Sequence, residues 1–340
     1  MKKYLSYLAV FIACIALLDF GWGKLFDYLS KNAKSGETQD LNALVYQLQP
    51  DILILGSSRA HHHYDDKMMT DSLGVKVYNA GVDGNGIVSM YGLFKMVTAR
   101  HLPKLIIYDV EPAFDICEYS DDDNNRRYLQ LLKPYFHENG VTEIFQSLGW
   151  QERVKNYSGF YRYNTDFLNV LKNFRSNTPV SQYRYAPING EMSEYTESSK
   201  KGTVKVDSLK LFYLDRIAEE SSKYGVDIVF VCSPKYGAGD GTEVFRSVKE
   251  ICEKYDMMFW DYYSENAFQK FEYFKEPMHL NEDGARSFTD TIINRIKDFQ
   301  DANPSSNQRQ LQLGQYRKDS RTDRSMCPIS RMGVLCGIRP

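Results

Sequence analysis

The sequence predicts a three-layer α/β/α domain with a parallel sheet, preceded by a transmembrane anchor at the N-terminus. Two observations predict the domain. Short apolar runs alternate with helical patterns, and the runs are apolar on both sides, as buried parallel strands are. Strands that alternate with helices imply right-handed crossovers and helices on both faces of the sheet. A third observation predicts the anchor: an apolar run directly follows Lys2 and Lys3.

The N-terminal segment, residues 1–25, is expected to be an uncleaved signal anchor that contacts the membrane as a single-pass helix. Residues 4–18 are almost all apolar, and Trp22 suits a membrane interface. Positive charge before the run places the N-terminus in the cytoplasm. We therefore expect a protein of the cytoplasmic (inner) membrane whose domain is extracytoplasmic, in the periplasm.

Two other interpretations of this segment stay open. A run of this length also matches a signal-peptide core, although no convincing small-x-small cleavage site follows it. Residues 11–14 are similar to a lipidation box that ends at Cys14, but the apolar residues after Cys14 argue against it. All three interpretations export the rest of the chain.

The domain is expected to span residues 26–300. It begins with a short helix at 39–48. Five short, β-branched strands are predicted at 51–55, 75–78, 105–110, 226–232 and 257–261. Helices are predicted at 65–72, 87–98, 208–223, 242–254 and 282–299. Gly225 is a plausible stop for the helix at 208–223, because glycine adopts the left-handed conformation at helix ends.

Residues from about 115 to 202 break the alternation and are interpreted as an insertion over the carboxyl edge of the sheet. Helical pieces are predicted within it near 129–135 and 167–174. The insertion is either a substrate-shaping cap or a plain surface elaboration. Residues 301–340 are rich in Gln, Arg and Ser without an apolar period, so we predict a disordered tail.

Composition excludes some classes of protein. Lys+Arg 42 against Asp+Glu 44 leaves the chain nearly neutral, so no overall field favours a nucleic acid as partner. Six cysteines are too few for a disulfide framework in a domain of this size, and none are spaced as CxxC. Cys232 falls in a predicted strand and is interpreted as an inert core residue.

Two short motifs carry the residues that suit chemistry. The first predicted strand runs into Gly56, Ser57 and Ser58, which places a hydroxyl at the carboxyl end of the strand. Glu276 and His279 lie at the other end of the domain, where we expect them to open the last helix. An acid three residues before a histidine is in place to orient it. Together the motifs predict acyl chemistry at the carboxyl edge of the sheet.

Each of these residues has an expected role. A serine hydroxyl needs an adjacent base, which His279 is placed to supply to Ser58. Glu276 is then expected to accept from the other ring nitrogen and to stabilise the imidazolium. The Ser58 amide and the Gly84 amide are the candidate donors of an oxyanion hole. The structural alternatives are that Ser57 and Ser58 cap a helix, that Glu276 is a helix-start acid and that His279 is a satisfied surface or core histidine.

The motifs resemble three of the four sequence blocks of the SGNH/GDSL hydrolase superfamily. These are Gly56-Ser57-Ser58, Asn79-x-Gly81-x-x-Gly84 and Glu276-x-x-His279. The resemblance covers roughly residues 50–112 and 203–298. It implies a flavodoxin-like sheet and a serine esterase or acyltransferase that uses no cofactor and no metal. The segment around His279 is similar to envelope-anchored relatives in Bacteroides-type bacteria.

The resemblance also implies a substrate and a partner. Similar domains act in O-acetylation of exported polysaccharides, often beside a membrane-bound acyltransferase. The expected substrate is therefore an acylated carbohydrate of the envelope, and the expected partner is such an acyltransferase. Arg59 and Asn79 adjoin the motifs and are predicted to bind substrate. An ion pair from Arg59 to Asp65 or Asp83 is the structural alternative.

The sequence departs from the family pattern in the third block. After the strand at 105–110 the family has Gly-x-Asn-Asp, whose asparagine donates to the oxyanion. This chain has Glu111 and Pro112 there, and a carboxylate repels an oxyanion unless it is protonated or turned away. The alternative function is therefore an inactive subunit that binds carbohydrate or assembles a polysaccharide-modification complex.

The run His61-His62-His63 is the remaining motif of note. Three adjacent histidines cannot all face one ion, so we interpret them as residues at a helix start near the rim of the site, with one of them lining the pocket. No metal site is predicted from them.

Overall fold

The computed structural model describes residues 2–118, 129–194 and 205–302. Residues 301 and 302 end the last helix, and the rest of the predicted tail lies outside the described residues.

The helices are α1 Lys2–Lys31, α2 Gly36–Tyr46, α3 Ser58–His63, α4 Asp66–Leu73, α5 Ile87–Thr98, α6 Pro112–Asp115, α7 Val141–Ser147, α8 Trp150–Tyr157, α9 Gly159–Tyr163, α10 Phe167–Arg175, α11 Ser208–Tyr224, α12 Thr242–Tyr255 and α13 Glu282–Ala302. The strands are β1 Ile52–Gly56, β2 Val77–Asn79, β3 Leu105–Asp109, β4 Asp227–Cys232, β5 Met258–Asp261, β6 Phe274–Glu276 and β7 His279–Leu280.

Five strands form one parallel sheet in the order β2-β1-β3-β4-β5. Each lies where an apolar run predicted a strand. Gly225 adopts a left-handed conformation at the end of α11, as predicted (φ 66). The chain passes from β1 to β2 on one side and then returns to β3 on the other side of β1. Ligands in open α/β sheets bind outside the carboxyl ends of the strands at such a reversal.

Both faces of the sheet are covered by helices. Leu53 and Leu55 of β1 pack in a cluster with α2, α5, α11 and α12. Ile52 and Ile54 point to the opposite face and pack with α4 and α13. Side chains alternate along a strand, so a strand that is apolar at every position must be buried on both sides. The predicted α/β class and its parallel sheet are confirmed, and helices pack on both faces of the sheet.

The N-terminal helix α1 extends past residue 25, the expected end of the anchor, to Lys31. It is long and apolar enough to cross a membrane, and its most apolar stretch has no buried residues. Its last turns instead pack on the domain, where Phe26 and Leu29 join Tyr163 and Val170 in a small apolar cluster. The end of α1 and the insertion therefore pack against each other.

The insertion, where it is described, contains α7 to α10 and an extended segment over residues 176–194. This segment runs past the carboxyl edge of the sheet. The Arg184 amide donates to Asp66, and Ile188 accepts from the amide of Glu282 at the start of α13. Met192 then pairs with Phe274 of β6. The insertion thus borders the predicted site.

Candidate active site

Ser58 is the first residue of α3, directly after the tip of β1. The turn between them requires a glycine. Gly56 has φ +146, and a Cβ there would lie 2.8 Å from the Asp109 carbonyl oxygen. The neighbouring Ser57 is buried, its hydroxyl caps nothing and it has no hydrogen-bond partner. The helix-cap interpretation is therefore wrong for Ser57, and the hydroxyl that reaches the site belongs to Ser58.

The structure brings the three predicted catalytic residues together. Ser58 Oγ lies 2.7 Å from His279 Nε2. The other ring nitrogen of His279, Nδ1, contacts Glu276 Oε1. This hydrogen bond lowers the pKa of Glu276, although partial burial opposes the shift, so the carboxylate stays ionised near neutral pH. The order hydroxyl, imidazole, carboxylate is that of a nucleophile activated by an oriented base.

Glu276 and His279 lie on a small antiparallel pair, β6 and β7, and not in the last helix. The prediction that they open this helix is wrong, because α13 begins only at Glu282. Glu276 is therefore not a helix-start acid. The antiparallel register pairs Glu276 with His279, which sets the acid beside the ring. Leu280, the next residue, is fully buried and fixes the end of β7 in the core.

His63 positions this strand, and the sequence analysis missed its role. The Leu280 amide donates to His63 Nε2 at 3.0 Å. Because Nε2 accepts, the ring proton is on Nδ1, which lies 2.9 Å from Ser233 Oγ. Burial holds the pKa of His63 well below its ordinary value, so the ring stays neutral. A neutral, fully buried histidine thus joins α3, which carries Ser58, to the strand that carries His279.

Arg59 does not bind substrate through its guanidinium. Its side chain is 1% exposed and its Nη1 donates to Glu111 Oε2 at 2.6 Å. Its Nε donates to Ser233 Oγ at 3.0 Å. The prediction that Arg59 binds substrate is corrected, because its guanidinium is buried and already paired with Glu111. The alternative ion pairs are also wrong, since the partner is Glu111.

The same ion pair bears on the departure from the third sequence block, where Glu111 was expected to repel an oxyanion. The Glu111 carboxylate is buried and paired with the Arg59 guanidinium. Asp115 is also buried, where its carboxylate accepts from the Ile87 amide and the Tyr108 hydroxyl. Both acids therefore form hydrogen bonds or ion pairs with buried groups inside the domain. The charge of Glu111 is therefore balanced by Arg59, and no asparagine in this block takes the place of the family's donor.

Asn79 is buried and its polar atoms are all engaged. Its Nδ2 donates to the carbonyl oxygens of Ala60 and Tyr64, and its Oδ1 accepts from the Gly81 amide. Asn79 joins the tip of β2 to α3 and has no group left for a ligand. The prediction that it binds substrate is corrected.

The two predicted oxyanion donors lie on neighbouring segments. Within the described residues, no hydrogen bond uses the Ser58 amide or the Gly84 amide. Gly84 has φ +68, in an exposed turn. The residue before it, Asp83, contacts the helix that begins at Ser58, through His61 Nδ1 at 2.8 Å. The role of both amides stays a prediction.

His61 and His62 turn to the same carboxylate, while His63 points into the core. His62 Nε2 lies 3.3 Å from Asp83, and His62 Nδ1 donates to the Ala186 carbonyl oxygen at 2.6 Å. Burial lowers the pKa of His62, but these two contacts outweigh it and the net pKa is raised. Both ring nitrogens face oxygen acceptors, so the doubly protonated ring fits this place.

These residues also form the one candidate metal-binding group found among the described residues. Donor atoms of His61, His62 and Asp83 lie within 4.8 Å of one another. Two neighbouring histidines do meet one carboxylate, which the sequence interpretation did not foresee. Direct contacts between imidazole and carboxylate account for the arrangement.

A cavity of about 490 Å³ lies beside this group. Asp83 and Gly84 form part of its wall, and α2 and α10 contribute much of the rest. Its polar lining residues are Glu37, Thr38, Asp83, Asn85, Gln130, Tyr135, Asp166, Asn169, Lys172 and Asn173. Asp83, in the cavity wall, contacts His62, and the His62 ring lies 5.7 Å from that of His279.

No family model matches the chain, and no curated protein sequence matches it. The likeness to the SGNH/GDSL superfamily therefore rests on the motif residues described above.

Proposed function

We propose that this protein is a membrane-anchored SGNH-type serine esterase or acyltransferase that acts on O-acyl groups, acetyl above all, of an envelope carbohydrate. In this proposal the parallel sheet is that of a flavodoxin-like fold. The observation that carries the proposal is the chain of hydrogen bonds from Ser58 to His279 and from His279 to Glu276. Ser58 directly follows the tip of β1. The strand order, with its reversal at β1, supports it, because ligands bind at such places.

The mechanism follows from these contacts. His279 Nε2 takes the Ser58 proton as the hydroxyl oxygen attacks the acyl carbonyl carbon, and Glu276 stabilises the imidazolium that forms. The tetrahedral intermediate collapses when the imidazolium gives its proton to the leaving sugar oxygen, which leaves an acyl-serine. Water or a second sugar hydroxyl then attacks the acyl-serine, with His279 as the base again. Hydrolysis and transfer differ only in this acceptor.

The oxyanion of the intermediate needs donors that the third block does not provide. The free amides of Ser58 and Gly84 are the proposed pair. His62 lies one helical turn after Ser58, but its ring nitrogens are committed to Asp83 and the Ala186 carbonyl oxygen, so the proposed oxyanion hole consists of the two amides.

The cavity beside Asp83 supports a carbohydrate as substrate. Its lining combines carboxamides, carboxylates, a lysine and a tyrosine, which together offer donors and acceptors for hydroxyl groups. Asp83 in its wall contacts His61 and His62 of α3, the helix that begins at Ser58, so in this proposal the sugar binds on the Asp83 side of the catalytic serine. The N-terminal helix would hold this site at the outer face of the cytoplasmic membrane, where a membrane-bound acyltransferase is the proposed partner.

The second candidate function is an inactive subunit that binds carbohydrate in a modification complex. One observation favours it: the position of the family's asparagine is taken by Glu111, whose carboxylate is committed to Arg59. Such a subunit would keep the polar cavity and its affinity for sugars but would have no turnover.

The test is release of acetate from glucose pentaacetate and from p-nitrophenyl acetate by the full chain in detergent. The esterase predicts release from both esters and none with Ser58→Ala. The Asn169→Ala variant probes the cavity wall, and we expect it to raise KM for the sugar ester alone. No release of acetate from either ester by the unmodified protein would contradict the enzyme and favour the inactive subunit.

A further inference from the structure

The insertion presents an exposed apolar surface beside the end of the anchor. Trp150 is 68% exposed, and Val154, Tyr157 and Phe160 are exposed as well. The first three lie at positions i, i+4 and i+7 of α8, so they share one side of that helix. Phe160 follows on α9. We call these four residues the apolar shoulder. Exposed apolar patches on soluble proteins mark sites of interaction with a protein or a membrane.

The apolar shoulder ends in direct contact with α1. The Ser158 hydroxyl and the Phe160 amide both donate to the Asp19 carboxylate, at 2.7 and 2.8 Å. The Phe160 ring stacks on Trp22 with centroids 5.2 Å apart. The two backbones also touch, because a Cβ on Gly159 would lie 2.3 Å from Gly23 Cα. These contacts fix the height of the shoulder along α1.

That height coincides with the end of the apolar run of α1. Residues 4–18 form the run, and Asp19 is the first charged residue after it. If α1 crosses a bilayer, Asp19 and Trp22 lie at its outer interface, where tryptophan and tyrosine are enriched. Phe160 is at the same level as these residues, because it contacts both of them.

We propose that the apolar shoulder lies on the outer surface of the bilayer, with its side chains inserted at the boundary between headgroups and acyl chains. The occupant is lipid, because the shoulder is continuous with a helix that suits a membrane and carries Trp and Tyr at its exposed positions. This inference rests on the anchor of the proposed function but not on the chemistry. The domain is then held at two places, so that α1 cannot swing freely and the site keeps a fixed height above the membrane.

The three tryptophans of the chain allow a direct test. Trp22 reports on the anchor, Trp150 on the shoulder, and Trp260, 4% exposed in the core of the domain, serves as the control. Full-length variants that keep one tryptophan each, with phenylalanine at the other two positions, are placed in nanodiscs of phosphatidylcholine with brominated acyl chains. Circular dichroism checks that each variant is folded.

The proposal predicts that bromine quenches Trp150 as well as Trp22, with a blue-shifted emission maximum, and leaves Trp260 unquenched. Quenching of Trp22 without quenching of Trp150 would overturn it and indicate that a protein covers the shoulder. Loss of quenching at Trp22 would overturn the anchor and the shoulder together, while the esterase assay would be unaffected. Phe160→Trp, with the three native tryptophans replaced, repeats the measurement at the residue nearest to α1 and must give the same result.

Discussion

The two halves of the candidate site are built in opposite ways. Beneath Ser58, the support is buried: Arg59 is 1% exposed and paired with Glu111, and His63 is enclosed in the core. The other half is a short hairpin held to the core by Leu280, in which the side chain of Glu276 is 48% exposed. A buried pair holds its geometry through desolvated contacts, whereas an exposed pair is screened by water. Substitutions of the buried residues beneath Ser58 should therefore change the free energy of unfolding. Substitutions of Glu276 in the hairpin should change acyl turnover.

Ser58→Ala is expected to have the largest effect and to separate the two properties most clearly. If Ser58 is the nucleophile, its loss should reduce acyl turnover by about 10⁴- to 10⁶-fold, as loss of the nucleophile does in known serine hydrolases. Ser58 supports no core packing, so the free energy of unfolding should change by less than about 0.5 kcal/mol. Acetate release and urea unfolding measure the two quantities.

Ser57→Ala is the matched control for this variant. The buried Ser57 hydroxyl has no partner, so its removal should keep activity and leave the protein as stable or slightly more stable. A collapse of turnover in Ser57→Ala with survival in Ser58→Ala would reverse the assignment of the nucleophile.

Glu276→Gln is expected to come next. An amide cannot stabilise the imidazolium as a carboxylate does, so turnover should fall by about 10²- to 10⁴-fold. Stability should be nearly unchanged because the residue is exposed. Glu272→Gln, which alters an exposed acid outside the triad, is the control and should retain full activity. Equal activity of the two variants would remove Glu276 from the mechanism.

Arg59→Met tests the buried half. It leaves the Glu111 carboxylate buried without its partner, which should reduce the free energy of unfolding by about 3–5 kcal/mol. Arg59→Met with Glu111→Leu removes both charges and should recover much of this loss. Urea denaturation measures both. If the single variant is as stable as the unmodified protein, the ion pair does not support the site.

The smallest effect is a dependence of stability on pH. Burial raises the pKa of Asp109 to about 6 and that of Asp115 to about 7, from an ordinary value of 3.8. The unfolded chain releases these protons at lower pH, so the free energy of unfolding should fall as pH rises from about 4 to about 7.

Asp109→Asn removes one of these titrations while keeping an oxygen for the Tyr64 hydroxyl, which lies 2.6 Å from the Asp109 carboxylate. Between pH 5 and pH 8, the loss of stability should be about 1 kcal/mol smaller in this variant. Urea midpoints at the two pH values measure the difference. An identical loss in both proteins would place the titration elsewhere.

The same contrast explains what the sequence could predict. Strand periodicity found all five strands of the sheet, because a doubly buried strand needs apolar residues at each position. The residues that meet at the site were also predicted, since Ser58 and the pair Glu276 and His279 stand in recognisable local patterns. These patterns are local in sequence, so they can be recognised without knowledge of the fold.

The contacts that support the site were not predicted, because they join residues that are distant in the chain. The pairing of Arg59 with Glu111 and the link from His63 to Leu280 depend on the register of several elements. Asn79 was misread for the same reason. The hairpin of β6 and β7 was also missed, since strands of two or three residues carry almost no periodic signal.

The most direct test of the central claim is covalent labelling with a fluorophosphonate, read by mass spectrometry of the peptide that contains Ser58. An activated Ser58 predicts a phosphonate on this residue in the unmodified protein, loss of labelling in Ser58→Ala and strong reduction in His279→Ala. An unlabelled Ser58 in the folded, unmodified protein, or equal labelling of the Ser58→Ala variant, would contradict the claim that His279 activates this hydroxyl.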